Sequence, residues 1–268
     1  MSRPAHVPTP ASDETKAQGR HWSRHAAKYD DVFLDPFRPG VQNPVPLAVA
    51  SIPNAASKTV IDLGCGTGSL LPMLVDTYKE VHALDFAPGM IRRSKERLGD
   101  NAGRVTFHAR TMEDLADFAG RFDVAVAINS LVMPDVLQVD RTLRAIRMAM
   151  KPQGVFFGVV PSIDAIHYHT MLLLDRELDK GLDPEEAERV AAYHGEHRYY
   201  EFGFGRFSFQ GLRQKFWQPF EIEYRMKRAG FATVELSRVL YPWDDHVPGE
   251  GAFAAHPPSW DWCFTARP

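Results

Sequence analysis

One stretch of the sequence, residues 59–71, constrains the fold more than any other and reads TVIDLGCGTGSLL. Its first residues favour a buried strand, and apolar residues at helical spacing follow from Leu70. Between them stand Gly64, Gly66 and Gly68, which carry no Cβ atom, so a ligand can lie directly against peptide N–H groups. The pattern predicts a strand, a turn that binds a small polar ligand, and a helix.

The spacing of the turn residues narrows the kind of ligand. The dinucleotide-binding fingerprint needs glycine at its first, third and sixth positions, and here the sixth position is Ser69. A phosphate-binding loop would need Gly-Lys-Ser/Thr, which does not follow the turn. Asp62 stands two residues before the first glycine, where it would repel a pyrophosphate and attract an ammonium group. The sequence therefore favours a ligand with a positively charged end over a nicotinamide cofactor, and a nicotinamide oxidoreductase is the alternative.

The string DLGCGTG, with Asp85 at the end of the next predicted strand in VHALDFAPGM, resembles the cofactor motif of the class I S-adenosylmethionine-dependent methyltransferases. The resemblance extends from Trp22 to about Ser162 and resumes at about Pro219. It implies a Rossmann-like fold, S-adenosyl-L-methionine as cofactor and S-adenosyl-L-homocysteine as product. The alternative is a glycine turn that only tightens a strand-to-helix connection. Such a turn would need neither an acid two residues before it nor another acid at the end of the next strand.

The composition excludes several classes of protein. The 268 residues suffice for one elaborated domain, and a formal charge of −3 without a long basic run argues against a dedicated nucleic-acid binder. Cys65 and Cys263 are too few for a disulfide scaffold or a metal site, so we expect a reduced, cytoplasmic setting. The sequence has no apolar run of membrane-spanning length and no signal-peptide core. We therefore expect a soluble protein with no membrane partner and no metal.

Strand and helix patterns alternate along the chain after the glycine turn. The predicted elements are strands over Val81–Leu84, Val105–Ala109, Phe122–Ile128, Val155–Val160, Thr233–Val239 and Trp260–Ala266, and helices over Pro88–Leu98, Val139–Met150 and Phe220–Ala229. Such alternation predicts an α/β fold with a mostly parallel sheet and helices on both faces. The resemblance implies that the last two strands form a hairpin, which completes a seven-stranded sheet.

The chain divides into a tail, a core and an insertion. Residues 1–19 carry several prolines among small and charged residues and are predicted to be disordered. Residues 20–162 and 219–268 form the predicted methyltransferase core. Residues 163–218, the insertion, follow the fifth strand with helices over Ile163–Leu178 and Pro184–His194 and the segment RYYEFGFGRFSFQGLRQKFW. Aromatic side chains at this density either pack a small core or line a pocket, and we expect the insertion to be a substrate cap.

The resemblance also implies contacts between particular residues and the cofactor. Asp62 would receive the ammonium group, the glycine turn would hold the amino-acid portion, and Asp85 would accept hydrogen bonds from both ribose hydroxyls. Thr111 stands where many relatives have an aspartate that contacts the adenine. The expected cofactor-binding residues are Tyr29, Asp62, Gly64, Cys65, Gly66, Gly68, Asp85, Phe86, Met90, Thr111, Met112, Glu113 and Asn129.

The predicted function is transfer of a methyl group, by in-line displacement, to an oxygen or nitrogen atom of a small-molecule acceptor. A general base is needed only where the acceptor is protonated, and the candidates for catalysis are His167, His169 and Tyr199. One alternative is methylation of RNA or protein, for which the support is the set of bases Arg198, Arg206, Arg213 and Lys215. Another is a non-catalytic regulator that binds the cofactor. The acceptor and the oligomeric state stay open.

Overall fold

A computed structural model describes residues 13–25, 35–209, 211–244 and 250–268 of the chain. Tyr29, which was expected near the cofactor, lies outside these ranges. The helices are α1 (Asp13–His25), α2 (Val45–Ala50), α3 (Leu71–Thr77), α4 (Pro88–Leu98), α5 (Val136–Ala149), α6 (Ile163–Asp179), α7 (Pro184–His194) and α8 (Pro219–Ala229). None of these described helices is long and apolar enough to cross a membrane.

Seven of the ten described strands form one sheet. The strands are β1 (Thr59–Leu63), β2 (Glu80–Leu84), β3 (Val105–His108), β4 (Phe122–Ile128), β5 (Met150–Val160), β6 (Tyr200–Glu201), β7 (Arg206–Phe209), β8 (Leu212–Lys215), β9 (Thr233–Tyr241) and β10 (Ser259–Arg267). The sheet order is β3-β2-β1-β4-β5-β10-β9. The first five strands in this order are parallel to one another, and β10 is antiparallel to both β5 and β9. This arrangement confirms the predicted mostly parallel sheet and its closing hairpin.

Alternate residues of the central strands enter two hydrophobic cores on opposite faces of the sheet. Along β4, Val124 and Val126 pack into one core, and Ala125 and Ala127 pack into the other. Helices α2, α3 and α4 contribute to the first core, and helices α5 and α8 contribute to the second. Because both faces are covered, the central strand β4 is apolar except at Asp123 near its start, and this apolar run is why its bounds could be predicted.

The insertion forms α6, α7 and a separate antiparallel sheet in the order β6-β7-β8. The sequence did not predict these three strands, because they are two to four residues long and glycines interrupt the segment. The end of the insertion is bonded to the loop after β4, since the N–H of Lys215 donates to the carbonyl of Val132 at 2.9 Å and Nε1 of Trp217 donates to that of Leu131 at 2.8 Å. The insertion therefore reaches the ligand-facing edge of the main sheet.

Helix α1 begins at Asp13, within residues 1–19, for which the composition predicted disorder. Trp22 packs against Ala87 and Met90. The N–H of Gly89 donates to Oγ of Ser23 at 3.3 Å. These are contacts with residues more than sixty positions away, which the composition of the tail cannot reveal. They hold α1 against the first turn of α4.

We expect Gly89→Ala to displace α1. A Cβ atom at Gly89 would lie 2.8 Å from Cα of Ser23, and because this neighbour is backbone it cannot rotate away. The clash should outweigh the helix preference of alanine over glycine, which is about 1 kcal/mol. Hydrogen exchange followed by mass spectrometry should show faster exchange in α1.

Gly103→Ala is the matched control, because a Cβ atom at Gly103 meets nothing within 4 Å. The control should exchange like the wild type. Unchanged exchange of α1 in Gly89→Ala would contradict the close packing of α1 on α4.

Candidate cofactor and active site

The glycine turn connects β1 to α3 and is held by the neighbouring strand. The N–H groups of Gly64 and Cys65 both donate to the carbonyl of Leu84, at 2.7 and 3.0 Å. Gly64, Gly66 and Gly68 have φ angles of 70°, 54° and 82°, in the left-handed region where other residues are strained. The turn thus needs glycine at all three positions for its backbone conformation.

Two cavities adjoin each other at this turn. The first has about 960 Å³ of empty space, part of it open to solvent, and Asp85 lies in its wall. The second has about 510 Å³ of such space, and Asp62 lies in its wall. The residues that line both cavities are Gly64, Gly66, Ile128 and Asn129. The two acids singled out in the sequence therefore face adjoining spaces on either side of the turn.

The glycines of the turn differ in what surrounds them. A Cβ atom at Gly64 would lie 2.4 Å from Cβ of Ser130, and one at Gly68 would lie 3.1 Å from Ser94. Because glycine has no Cβ atom, the turn can pack closely against these two serines. A Cβ atom at Gly66 would meet nothing within 4 Å, because Gly66 faces the cavities. Gly66 is therefore the position where a ligand can approach the backbone, whereas Gly68 lines neither cavity.

Asp62 is a buried acid for which the described residues show no ion pair. It is 3% exposed, and burial, with a smaller contribution from the charge of Asp85, raises the pKa of its carboxyl to about 7. A cation placed in the second cavity would favour the ionised form and so bind more tightly. Cys65 lines the same cavity, and burial raises the pKa of its thiol, so the thiol is neutral there.

Asp85 is held in a fixed orientation by the backbone. Its Oδ1 accepts a hydrogen bond from the N–H of Ala87 at 2.8 Å, and its Oδ2 accepts one from the N–H of Gly66 at 3.1 Å. Burial raises the pKa of the carboxyl to about 6, although these hydrogen bonds oppose the increase. Each oxygen retains a further lone pair, so the carboxylate can accept two hydrogen bonds from a diol in the first cavity.

The residues predicted to surround the adenine lie together in the wall of the first cavity. They are Phe86, Met90, Thr111, Met112 and Glu113. Glu113 is also paired with Arg141, whose Nε lies 2.7 Å from Oε2 of the glutamate. Their contact with a cofactor stays a prediction.

Sequence reasoning missed other parts of the first cavity's wall. The added residues are Gln18 and Trp22 from α1, Met133 and Pro134 after β4, Gln138 and Thr142 from α5, and Arg213 from β8. Trp22 gave a signal, because it belonged to a helical pattern whose apolar side had to pack somewhere. Arg213 was noted only among the bases that favoured RNA, and the others gave no signal, since tertiary packing alone brings them to the cavity.

Asn129 follows β4 and lines both cavities. Its φ angle is 48°, and its backbone N–H donates to the carbonyl of Val159 at 2.8 Å. Its Nδ2 donates to Oδ2 of Asp261 at 3.3 Å, and the same oxygen accepts a hydrogen bond from the hydroxyl of Tyr241 at 2.8 Å. Sequence reasoning missed Asp261 and Tyr241, which lie on the closing hairpin more than a hundred residues away.

The candidates for catalysis do not line either cavity. His167 stacks on Phe202 with ring centroids 4.8 Å apart, and Tyr199 packs against Phe209 at 4.6 Å. His169 packs against Trp243, and burial lowers the pKa of its imidazole. The three side chains thus pack against aromatic rings in or beside the insertion, and their catalytic role has no support from their position.

Known proteins resemble this chain in sequence. A family model described as a methyltransferase domain matches residues 60–154. The ubiquinone biosynthesis O-methyltransferase of Azorhizobium caulinodans is 27% identical over 197 residues, which are 73% of this chain and 66% of that protein. The magnesium-protoporphyrin O-methyltransferase of Rhodobacter capsulatus is 37% identical over 106 residues, which are 36% of this chain and 46% of that protein. The chain thus spans less than two thirds of either relative's length.

The fold also has known counterparts. The 1,6-didemethyltoxoflavin-N1-methyltransferase of Burkholderia thailandensis, solved with 1,6-didemethyltoxoflavin and S-adenosylhomocysteine, superposes with a TM-score of 0.58 over 98% of this chain and 93% of that one, at 19% identity. This similarity extends over the whole sheet, beyond the segment that the family model matches. Residues 60–154 therefore match a methyltransferase domain, and the described chain has the Rossmann-like fold that the sequence predicted.

Proposed function

We propose that this protein transfers a methyl group from S-adenosyl-L-methionine to an oxygen or nitrogen atom of a small-molecule acceptor. One observation carries the proposal: Asp62 and Asp85 lie in the walls of adjoining cavities that meet at Gly66. The cofactor has an ammonium group at one end and a ribose diol nearer the other. Two buried acids on either side of an open glycine match that order of groups.

The residues at the turn fit the cofactor chemically. Asp62 is buried, and the pKa of its carboxyl is raised to about 7, so the positive charge of an ammonium group would stabilise the ionised carboxylate. Asp85, oriented by two backbone N–H groups, accepts the ribose hydroxyls. Phe86, Met90 and Met112 provide apolar surface for the adenine in the first cavity.

The chain's own contribution to the reaction is binding and alignment. When bound, the cofactor supplies a methyl group on a sulfonium sulfur, which the acceptor's lone pair displaces in line. Asp62 and Asp85 fix the two ends of the cofactor, and Trp22 and Arg213, from α1 and the insertion, narrow access to the first cavity. Alignment and exclusion of water can account for much of the rate in such a displacement. No base among the described residues is assigned.

The acceptor class follows from the relatives and from the surface of the insertion. Two relatives are O-methyltransferases by name, and the structural counterpart is an N-methyltransferase of a small molecule. Two of the four bases that favoured RNA are engaged within the protein: Lys215 is buried and paired with Glu221 at 2.7 Å, and Arg206 is paired with Glu201 at 3.2 Å. A small-molecule acceptor is therefore favoured over RNA or protein.

Neutralising either acid should weaken cofactor binding. We expect Asp62→Asn and Asp85→Asn each to raise the Kd for S-adenosyl-L-methionine about tenfold or more, because hydrogen bonds to a charged group are worth about 1.5–3 kcal/mol. Isothermal titration calorimetry measures this change. Asp76→Asn is the matched control, because Asp76 is an exposed acid in α3.

The unfolding temperature separates loss of a contact from misfolding. Burial already opposes the ionised form of Asp62, so ligand-free Asp62→Asn should unfold no earlier than the wild type at pH 8. Asp85→Asn should keep a cooperative transition at a lower temperature, because its NH₂ group cannot accept one of the two backbone hydrogen bonds that the carboxylate accepts. Wild-type affinity in both variants, or no binding by the wild type, would refute the assignment of the turn.

Cofactor binding should release protons at mildly acidic pH. The ammonium group stabilises ionised Asp62, so the pKa of about 7 falls on binding and the Kd decreases as pH rises through the range from 6 to 7. Calorimetry in buffers with different ionisation heats measures the protons released. The Asp62→Asn variant should release fewer protons than the wild type, and the protons that it still releases should come from Asp85. Proton uptake, or equal release by wild type and variant, would contradict the role of Asp62.

The acceptor class is testable with a methyl-labelled cofactor. Purified protein should transfer label to members of a panel of small phenols and amines, and transfer should require Asp85. Total RNA and unfolded protein serve as the competing acceptors. Label recovered only in RNA or protein would favour the macromolecular alternative, and cofactor binding without any transfer would favour a regulator.

A further inference from the structure

Asp35 is a third acid beside the glycine turn. It lies in the segment that precedes α2, and it lines the second cavity together with Pro36 and Phe37. Asp62 lines the same cavity, and these two acids are the only charged side chains among the described residues of its wall. The wall of the second cavity is therefore acidic and attracts the cationic part of a ligand.

The segment that carries Asp35 is held against β9 and the loop after it. The guanidinium group of Arg38 donates to both carboxylate oxygens of Asp244, at 2.8 and 3.3 Å. Gln42 and Leu240 exchange two backbone hydrogen bonds, each of 3.0 Å. These long-range contacts fix the backbone of the segment beside the cavity, so the position of Asp35 does not depend on a ligand.

The carboxylate of Asp35 is oriented towards the strand ends. Its Oδ1 accepts a hydrogen bond from the N–H of Phe37 at 2.9 Å, and the residue is half-buried. Burial, the contacts with Asp261 and, as a smaller contribution, the charge of Asp35 raise the pKa of the Tyr241 hydroxyl. This hydroxyl bonds Asp261, which also bonds Asn129 in the wall of the second cavity. The charge of Asp35 thus acts at the edge of the sheet that bounds the cavity.

Asp62 indicates a ligand independently of Asp35. Its side chain is 3% exposed and lies in the wall of the cavity, and no hydrogen bond or ion pair in the described part of the chain satisfies it. Buried polar groups are nearly always satisfied in folded proteins, so an unsatisfied one at a cavity indicates a group that a ligand supplies. Because its pKa is raised to about 7, the carboxyl of Asp62 is only partly ionised at neutral pH, and a second acid would strengthen the attraction for a cation.

The proposed function identifies the cation that enters this cavity. The ammonium group at the amino-acid end of S-adenosyl-L-methionine has three N–H donors, and a single carboxylate oxygen can satisfy only one or two of them. Asp62 and Asp35 lie in one wall and can accept from the same group. S-adenosyl-L-homocysteine carries the same ammonium group, so the two acids distinguish ligands by their amino-acid portion and not by the charge on sulfur.

We propose that Asp35 binds the ammonium group of the cofactor together with Asp62. Arg38 and Asp244 are positioning residues, because their ion pair holds the segment that carries Asp35. This inference rests on the proposed function of the site. It adds a cofactor-binding residue outside the glycine turn, and this residue discriminates against nucleosides that lack an amino-acid portion.

The test compares three ligands by isothermal titration calorimetry. In Asp35→Asn, the Kd for S-adenosyl-L-methionine and the Kd for S-adenosyl-L-homocysteine should each rise about tenfold, because a charged acceptor of the ammonium group is lost. The Kd for methylthioadenosine, which lacks the amino-acid portion, should stay within about twofold of the wild-type value. Asparagine keeps an oxygen that accepts from the N–H of Phe37, so the segment should keep its conformation.

Asp135→Asn is the matched control. Oδ1 of Asp135 accepts from the N–H of Leu137 at 2.9 Å, which is the same contact with the second residue along the chain, but Asp135 lines neither cavity. This control should bind all three ligands like the wild type.

Variants of Arg38 test the positioning role of its ion pair. Arg38→Gln should raise the Kd for cofactor and product by a smaller factor than Asp35→Asn, with methylthioadenosine again unaffected, and Arg38→Lys should restore part of the affinity. In the double variant, Asp35→Asn should add less than it does alone, because both substitutions weaken one interaction. Additive effects would overturn the positioning role. The Asp35→Asn measurement remains decisive for Asp35 if Arg38→Gln does not fold.

The outcomes distinguish this inference from the proposed function. Equal weakening of all three ligands in Asp35→Asn would mean that Asp35 only supports the fold, and unchanged cofactor affinity with a raised KM for the acceptor would mean that Asp35 faces the acceptor. Either result overturns the inference and leaves the proposed function standing. Failure of the wild type to bind S-adenosyl-L-methionine would instead contradict the proposed function.

Discussion

Two buried carboxylates on neighbouring parallel strands are the constraint on which the site depends. The parallel pairing of β1 with β2 sets Asp62 opposite Ala83 and Leu63 opposite Leu84, so that Asp62 and Asp85 come to the same edge of the sheet. Burial raises the pKa of both carboxyls, which means that the ligand-free fold works against their ionisation. Uncompensated buried charges do not stabilise a fold. A ligand with a cation and a diol would place a positive charge at Asp62 and add two hydrogen bonds to those that Asp85 accepts from the backbone.

The glycine turn and Asp85 hold each other in position. The carbonyl that ends β2 accepts from the N–H groups of Gly64 and Cys65, and Asp85, the next residue, accepts from the N–H of Gly66. The turn therefore cannot move without moving the acid. Such mutual support means that little reorganisation is needed when a ligand arrives, which is the structural condition for tight and oriented binding.

Local patterns predicted the parts of the fold that local physics determines. The helices Pro88–Leu98 and Pro184–His194 and the strand Phe122–Ile128 agree residue by residue with the prediction. Proline starts both helices, and two-sided burial makes the strand apolar after its second residue. The Asn129–Asp261 contact was missed, because 132 residues separate its partners and no periodicity records it. Aromatic density in the insertion likewise could not tell packing from pocket, and Tyr199 packs against Phe209.

The outer wall of the first cavity is assembled from segments that the glycine turn does not control. Helix α1, the loop after β4 and strand β8 each contribute side chains to it, and hydrogen bonds from the insertion to the carbonyls of Leu131 and Val132 link the last two. Asp62, by contrast, lines the second cavity, to which α1 and β8 contribute no described residue and the loop after β4 contributes only Asn129. The wall can therefore change in sequence while the turn keeps its geometry. If the proposed function holds, this separation lets the scaffold keep its cofactor and vary its acceptor, and we expect acceptor selectivity in these segments, which have the weakest sequence signals.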